Sequence, residues 1–146
     1  MLTAQGLDLQ FGTNVLGHLF FTELLLPALT KSSEHNKVPA RVINTSSRMH
    51  TSLSAPLSGV DLVTVKGGPE RDLWVKKAGK LGAPLGLYGQ SKFIIISVSN
   101  YWAKRYPDVL VSCAVNPGGS KSDIARHQPR WKQRIVNFNQ YPTPCI

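Results

Sequence analysis

Leu9, Val15, Leu16, Leu19, Phe20, Leu24 and Leu25 recur at spacings of three and four, the period of an amphipathic helix, and predict one over residues 7–30. Asp8 stands near its start, where a carboxylate suits the helix dipole. The polar stretch Lys31–Lys37 ends it, and Pro39 marks the loop that follows. Arg41–Ser46 is short and β-branched and predicts a strand. Between 51 and 86 the chain carries Pro56, Gly59, Gly67, Gly68 and Pro69, then Gly82, Pro84 and Gly86. That density of breakers predicts a long surface excursion with little regular structure. Leu87–Tyr106 predicts a second helix, closed by Pro107, whose middle (Phe93–Ile96) is apolar on several faces and so buried on more than one side. Val109–Val115 is a continuous apolar run, expected as a strand buried on both faces. Asn116-Pro117-Gly118-Gly119 breaks it.

Strands separated by helices imply a parallel sheet with crossovers, an α/β fold. Two strands are too few for a doubly wound sheet, and the first long helix has no strand before it. The expected fold is therefore a piece of such a sheet. Composition agrees with a globular chain, since 42% of residues are hydrophobic and 17% charged. Leu19–Leu29 is the richest apolar run and is broken by Thr22, Glu23 and Pro27, so no transmembrane segment is expected. The first ten residues lack the basic start and apolar core of a signal peptide. Cys113 and Cys145 form no disulfide or metal pattern, and Cys113 is expected to pack as a small hydrophobe. A cytoplasmic, reducing location is the expectation. The net charge of +9 is spread along the chain and matches no nucleic-acid-binding motif, so no nucleic-acid partner is expected.

Tyr88 and Lys92 stand at i and i+4 of the second predicted helix and share a face. A nearby ammonium favours a phenolate, which makes such a tyrosine a candidate acid/base. Alone the pair is a weak signal, since a short motif recurs by chance. Ser46 and Ser47 follow the first strand, where ligands bind in open parallel sheets; either hydroxyl is equally a cap or turn group. Asn116–Gly119 follows the second strand at the same sheet edge, and reads as a ligand loop or a plain turn. Asn14 interrupts the first helix between Gly12 and Gly17 and marks either a functional position or a tolerated surface residue.

The order and spacing of these signals are more specific than any one of them. NVLGH at 14–18, RVINTSSRMH at 41–50, YGQSK at 88–92 and NPGGSKS at 116–122 resemble the successive motifs of the short-chain dehydrogenases/reductases. Gly17-His18 and His50 are similar to the branch with retinol dehydrogenases and WW-domain oxidoreductase. The resemblance covers about residues 1–127, the C-terminal catalytic part of a Rossmann-type doubly wound domain with its first strands missing. Residues 128–146 form a divergent basic tail.

The resemblance implies an oxidoreductase that interconverts an alcohol and a carbonyl on a small molecule, with NADP or NAD as cofactor. It makes Tyr88 the acid/base, Lys92 the ribose-binding cation, Ser47 the donor to the reacting oxygen and Asn14 the holder of a relay water. Pro117 and Gly118 would lie against the nicotinamide, and Ser122 would bind its carboxamide. Asn44 is no part of this set. The Gly-rich turn that carries a pyrophosphate is not in this sequence, and Gly82-x3-Gly86-x2-Gly89 is a decoy that follows no strand. The chain alone is accordingly expected to bind dinucleotide poorly. The alternative is a truncated, non-catalytic interaction module, a homodimer through the Tyr88 helix.

Overall fold

The computed structural model of the chain describes residues 1–51 and 60–118. Met1–Asn116 forms one compact unit, and a second begins at Pro117. The basic tail and Ser122 lie outside the described residues.

The first helix begins with Leu9–Phe11 (α1), passes through a π-helical stretch, Gly12–Leu16, and continues as Gly17–Asn36 (α2). Asp8 caps it, its Oδ1 accepting from the Gln10 and Phe11 backbone N–H groups at 2.9 and 3.3 Å. The wide turn is visible in the bond from Gly17 N–H to the Gly12 carbonyl, five residues back. A side chain at Gly12 would collide with Thr3, whose Cγ2 would lie 2.7 Å from a Cβ there, so the glycine lets residues 1–6 close on the helix. The helix runs six residues past its expected end. Lys31–Asn36 is polar but free of glycine and proline, and the stop comes only where Lys37 turns left-handed, at φ 57°. Its apolar stripe is largely bare: Phe20 is 65% and Leu24 63% exposed, while Val15 is buried.

Ala40–Thr45 (β1) and Leu110–Val115 (β2) pair in parallel, from Ala40 opposite Leu110 to Thr45 opposite Val115. Between them runs the longest element, Pro69–Arg105 (α3). It corrects the expected excursion, because the chain is helical from Pro69 onward. The breakers sit at joints rather than spreading disorder. Pro69 is the first helical residue, where its missing N–H costs nothing. Gly79 breaks the helix without ending it, at φ 76° and ψ 177°. Pro84, just past the break, removes one further N–H. Residues 52–59 of the expected excursion lie outside the described part.

The backbone angles of Gly79 are nearly closed to any residue with a Cβ. Gly79→Ala is expected to lower unfolding free energy by about 1–2 kcal/mol, read from the midpoint of a urea titration. An unchanged midpoint would mean that α3 straightens at little cost.

α3 covers one face of the sheet. Trp102 is fully buried there with Ile95 and Leu110. Asn44 reaches across from β1 and donates to Ser99 Oγ at 2.8 Å, while Ser99 donates to the Ile95 carbonyl at 2.9 Å, so the buried amide on that face is satisfied. The other face is open among the described residues. Ile43 is 60% and Val111 54% exposed, and Cys113 is exposed too. The expectation of a strand buried on both faces and of a packed Cys113 is thus corrected. The apolar run in β2 is a strand covered on one side, with alternating burial.

A buried ion pair ties residues 1–11 to α3. Arg71 Nη2 donates to Asp8 Oδ2 at 2.6 Å, with the two side chains 6% and 3% exposed.

Candidate active site

The two parallel strands end at the same edge, beside the middle of α3. Thr45 closes β1, and its carbonyl accepts from Lys92 Nζ at 2.8 Å. The next residue, Ser46, is buried and donates its hydroxyl to the Lys92 carbonyl at 2.9 Å, while its backbone N–H bonds the Val115 carbonyl at 2.7 Å. Strand end, helix backbone and lysine side chain are thereby fixed together. An i to i+4 step brings Tyr88 over the same spot, and Lys92 Nζ lies 5.7 Å from the centre of its ring. Burial pulls the Lys92 ammonium below its ordinary pKa.

Asn14 meets α3 at Ser91, three residues after Tyr88 and next to Lys92. The π-helical stretch turns it toward the helix, where its Nδ2 donates to Ser91 Oγ at 3.0 Å and to Gln10 Oε1 at 3.2 Å. Ser91, almost wholly buried, donates in turn to the Tyr88 carbonyl at 2.8 Å. The side-chain amide is therefore spent on holding two helices in register, one bond away from the tyrosine's own backbone. π turns recur at functional sites because the extra residue re-aims a side chain without ending the helix.

Ser47 stands one residue past Ser46 and is half-buried. Its Oγ accepts from Met49 N–H at 3.3 Å, capping the short turn Arg48–His50. The His50 Nδ1–H donates to the Ser47 carbonyl at 2.6 Å. The capping alternative for this hydroxyl is realised, and the hydroxyl proton is still available to a ligand oxygen.

Pro117 and Gly118 open the second unit, Gly118 at φ 73°. Asn14, Tyr88 and Lys92 thus join one hydrogen-bonded cluster with the end of β1, and Ser47 follows in the chain. Three participants were not singled out in the sequence: the Thr45 carbonyl, Gln10 and Ser91. Ser91 carries a signal in hindsight, a hydroxyl at i+3 from the tyrosine on the next strip of the helix. A carbonyl carries none.

Gly82, Gly86 and Gly89 all lie inside α3, so they form no phosphate-binding turn. Lys92 keeps two ammonium protons after bonding Thr45. Among the described residues no cluster of His, Cys, Asp or Glu fits a metal ion, and no helix is long and apolar enough to cross a membrane.

No family model matches the chain, and no solved structure matches it. Curated relatives do. The chain is 39% identical over 144 residues to a short-chain dehydrogenase/reductase of Armillaria gallica, an alignment that covers 97% of this chain and 42% of that protein. It is 31% identical over 137 residues to an uncharacterized oxidoreductase of Schizosaccharomyces pombe, covering 92% and 37%. To retinol dehydrogenase 13 of Homo sapiens it is 30% identical over 126 residues, covering 86% and 32%. The chain thus spans about two fifths or less of the length of these relatives.

Proposed function

Because this chain belongs to the short-chain dehydrogenase/reductase family, we propose that it carries the proton-transfer half of an alcohol/carbonyl oxidoreductase that works with NAD or NADP. The supporting observation is the Tyr88–Lys92 pair on one face of α3, its lysine fastened to the last carbonyl of β1. The bound nicotinamide would supply or accept the hydride at the substrate carbon.

In the reducing direction, Tyr88 gives its hydroxyl proton to the carbonyl oxygen as the carbon gains the hydride. The product is an alcohol and a phenolate. The Lys92 ammonium lowers the energy of that phenolate through its charge, and the partial burial of the site strengthens the interaction. Ser47 donates its hydroxyl proton as a hydrogen bond to the reacting oxygen and holds it within reach of Tyr88. Asn14, with its amide N–H groups engaged by Ser91 and Gln10, has its Oδ1 to accept from a water that returns a proton toward Lys92. Pro117, Gly118 and Ser122 are proposed for the nicotinamide on the order of the family's motifs alone. The relative named retinol dehydrogenase makes retinol and retinal sensible first compounds in a substrate screen.

Calorimetric titration of the purified chain with NADH and with NADPH tests the reading. Weak, saturable binding is expected, lost in Lys92→Met, because Lys92 is the donor proposed for the nicotinamide ribose. A folded chain with no saturable binding would favour a second reading, a non-catalytic association module. That reading draws on the bare apolar surface of Phe20, Leu24, Ile43 and Val111, and it requires a mass that rises with concentration.

A further inference from the structure

Met1, Asp8, Leu9, Gln10 and the part of α3 on either side of its Gly79 break line a cavity of about 610 Å³. None of Asn14, Ser47, Tyr88 or Lys92 borders it. The volume falls within the range of small-molecule sites, roughly 300–1,000 Å³. Its walls are mostly apolar, with Leu9, Val75, Ala83, Pro84 and Leu87 along the two sides. Gly79, where α3 kinks, is itself part of the lining.

Charge at the cavity is distributed unevenly. Asp8 and Arg71 meet at 2.6 Å, more than nine-tenths buried, and their charges cancel. Lys76 and Lys80 also line the cavity, both exposed and therefore at its mouth, and neither has a carboxylate within ion-pair distance among the described residues. A positive mouth thus stands over a neutral, apolar interior.

A polyanion such as a nucleotide would need donors deep inside, and the guanidinium there, Arg71, is already paired with Asp8. A single anionic head on an apolar body meets every condition. The head stays at the lysines, partly in water, and the body replaces water along Leu9, Val75 and Leu87. We infer that this cavity binds a medium- or long-chain carboxylate, with the carboxylate between Lys76 and Lys80 and the hydrocarbon against the apolar walls. The site is separate from the catalytic cluster and does not depend on the reaction proposed for it.

Sodium dodecanoate, kept below its critical micelle concentration, is the probe, titrated calorimetrically into the full chain. One saturable site per chain is expected. Lys76→Gln/Lys80→Gln changes only exposed side chains and is expected to weaken binding about tenfold, the size of two partly screened ion pairs. Dodecanol, with the same tail and no charge, should be weaker by a similar factor. Val75→Trp, which fills the cavity from a half-buried position, should abolish the site while the circular dichroism spectrum stays unchanged. Absence of saturable binding to the wild-type chain overturns the inference. So does binding that survives both Val75→Trp and the double lysine variant, because the probe would then be adsorbing to the bare faces of α2 and the sheet. A dimer mass that Val75→Trp abolishes, with no uptake of dodecanoate, would give the cavity to a second copy of the chain and overturn it equally.

Discussion

Tyr88→Phe is expected to lower carbonyl reduction about 10²–10⁴-fold while the protein stays folded, the range a positioned general acid contributes. The substitution deletes one oxygen. It leaves the ring beside Lys92, and it leaves the backbone carbonyl that Ser91 holds. The loss would therefore fall on proton transfer and not on packing. It is read as nicotinamide oxidation at high protein concentration with a panel of aldehydes, beside the circular dichroism of both proteins. Lys92→Met separates the two roles further. Burial disfavours the ammonium in the folded state, so its folded pKa lies below the unfolded one. Charging it costs stability below the folded pKa, a cost that fades as pH rises through that value. Methionine escapes the cost and loses the bond to Thr45, so Lys92→Met should hurt turnover far more than stability. Equal rates for wild type and Tyr88→Phe would remove Tyr88 from the chemistry.

The second large effect belongs to stability. Arg71→Met is expected to cost about 3–5 kcal/mol, because it strands the Asp8 carboxylate in a place where water reaches little of it. Asp8 has three partners in the fold: two backbone N–H groups of the first helix through Oδ1, and Arg71 through Oδ2. Losing Arg71 removes the only positive charge on the list. The double variant Asp8→Asn/Arg71→Met keeps a capping oxygen and buries no charge, so it should recover most of the loss. Urea titrations of the two variants and the wild type give the comparison. A single-variant loss under about 1 kcal/mol would show that the pair is open to water in solution and contributes as surface pairs do.

Long apolar periods and β-branched runs were legible because the physics behind them is local. The period of α2, the strand at Arg41–Ser46 and the end of the helix that Pro107 closes emerged near their predicted places, while that helix starts at Pro69 and not at Leu87. Residues 69–86 were not legible, because a glycine or proline reads the same at a joint as in a loop. Only the neighbouring chain shows that Pro69 starts a helix and that Gly79 bends one. Burial was the harder quantity. Phe20, Leu24 and Val111 have core-like spacing, yet the structure puts no described element on them. Periodicity tells which face is apolar and not what lies against it. At the candidate site, side chains with characteristic spacing, Tyr88 and Lys92, could be named in advance. The bonds that fasten them run to a backbone carbonyl and to Ser46 and Ser91, whose meeting depends on strand register and helix phase.

The parallel register also sets a clock. Each residue of β1 pairs with one seventy positions later in the chain, from Ala40 with Leu110 onward, and all of α3 lies between. Contacts so far apart in sequence form slowly, since a long loop must close before any of them repays its entropy. During synthesis at ~5–20 residues per second, roughly 4–14 seconds pass between the appearance of β1 and that of its partner. For that interval Val42 and Ile43 leave the ribosome with the strand they pair with still unmade.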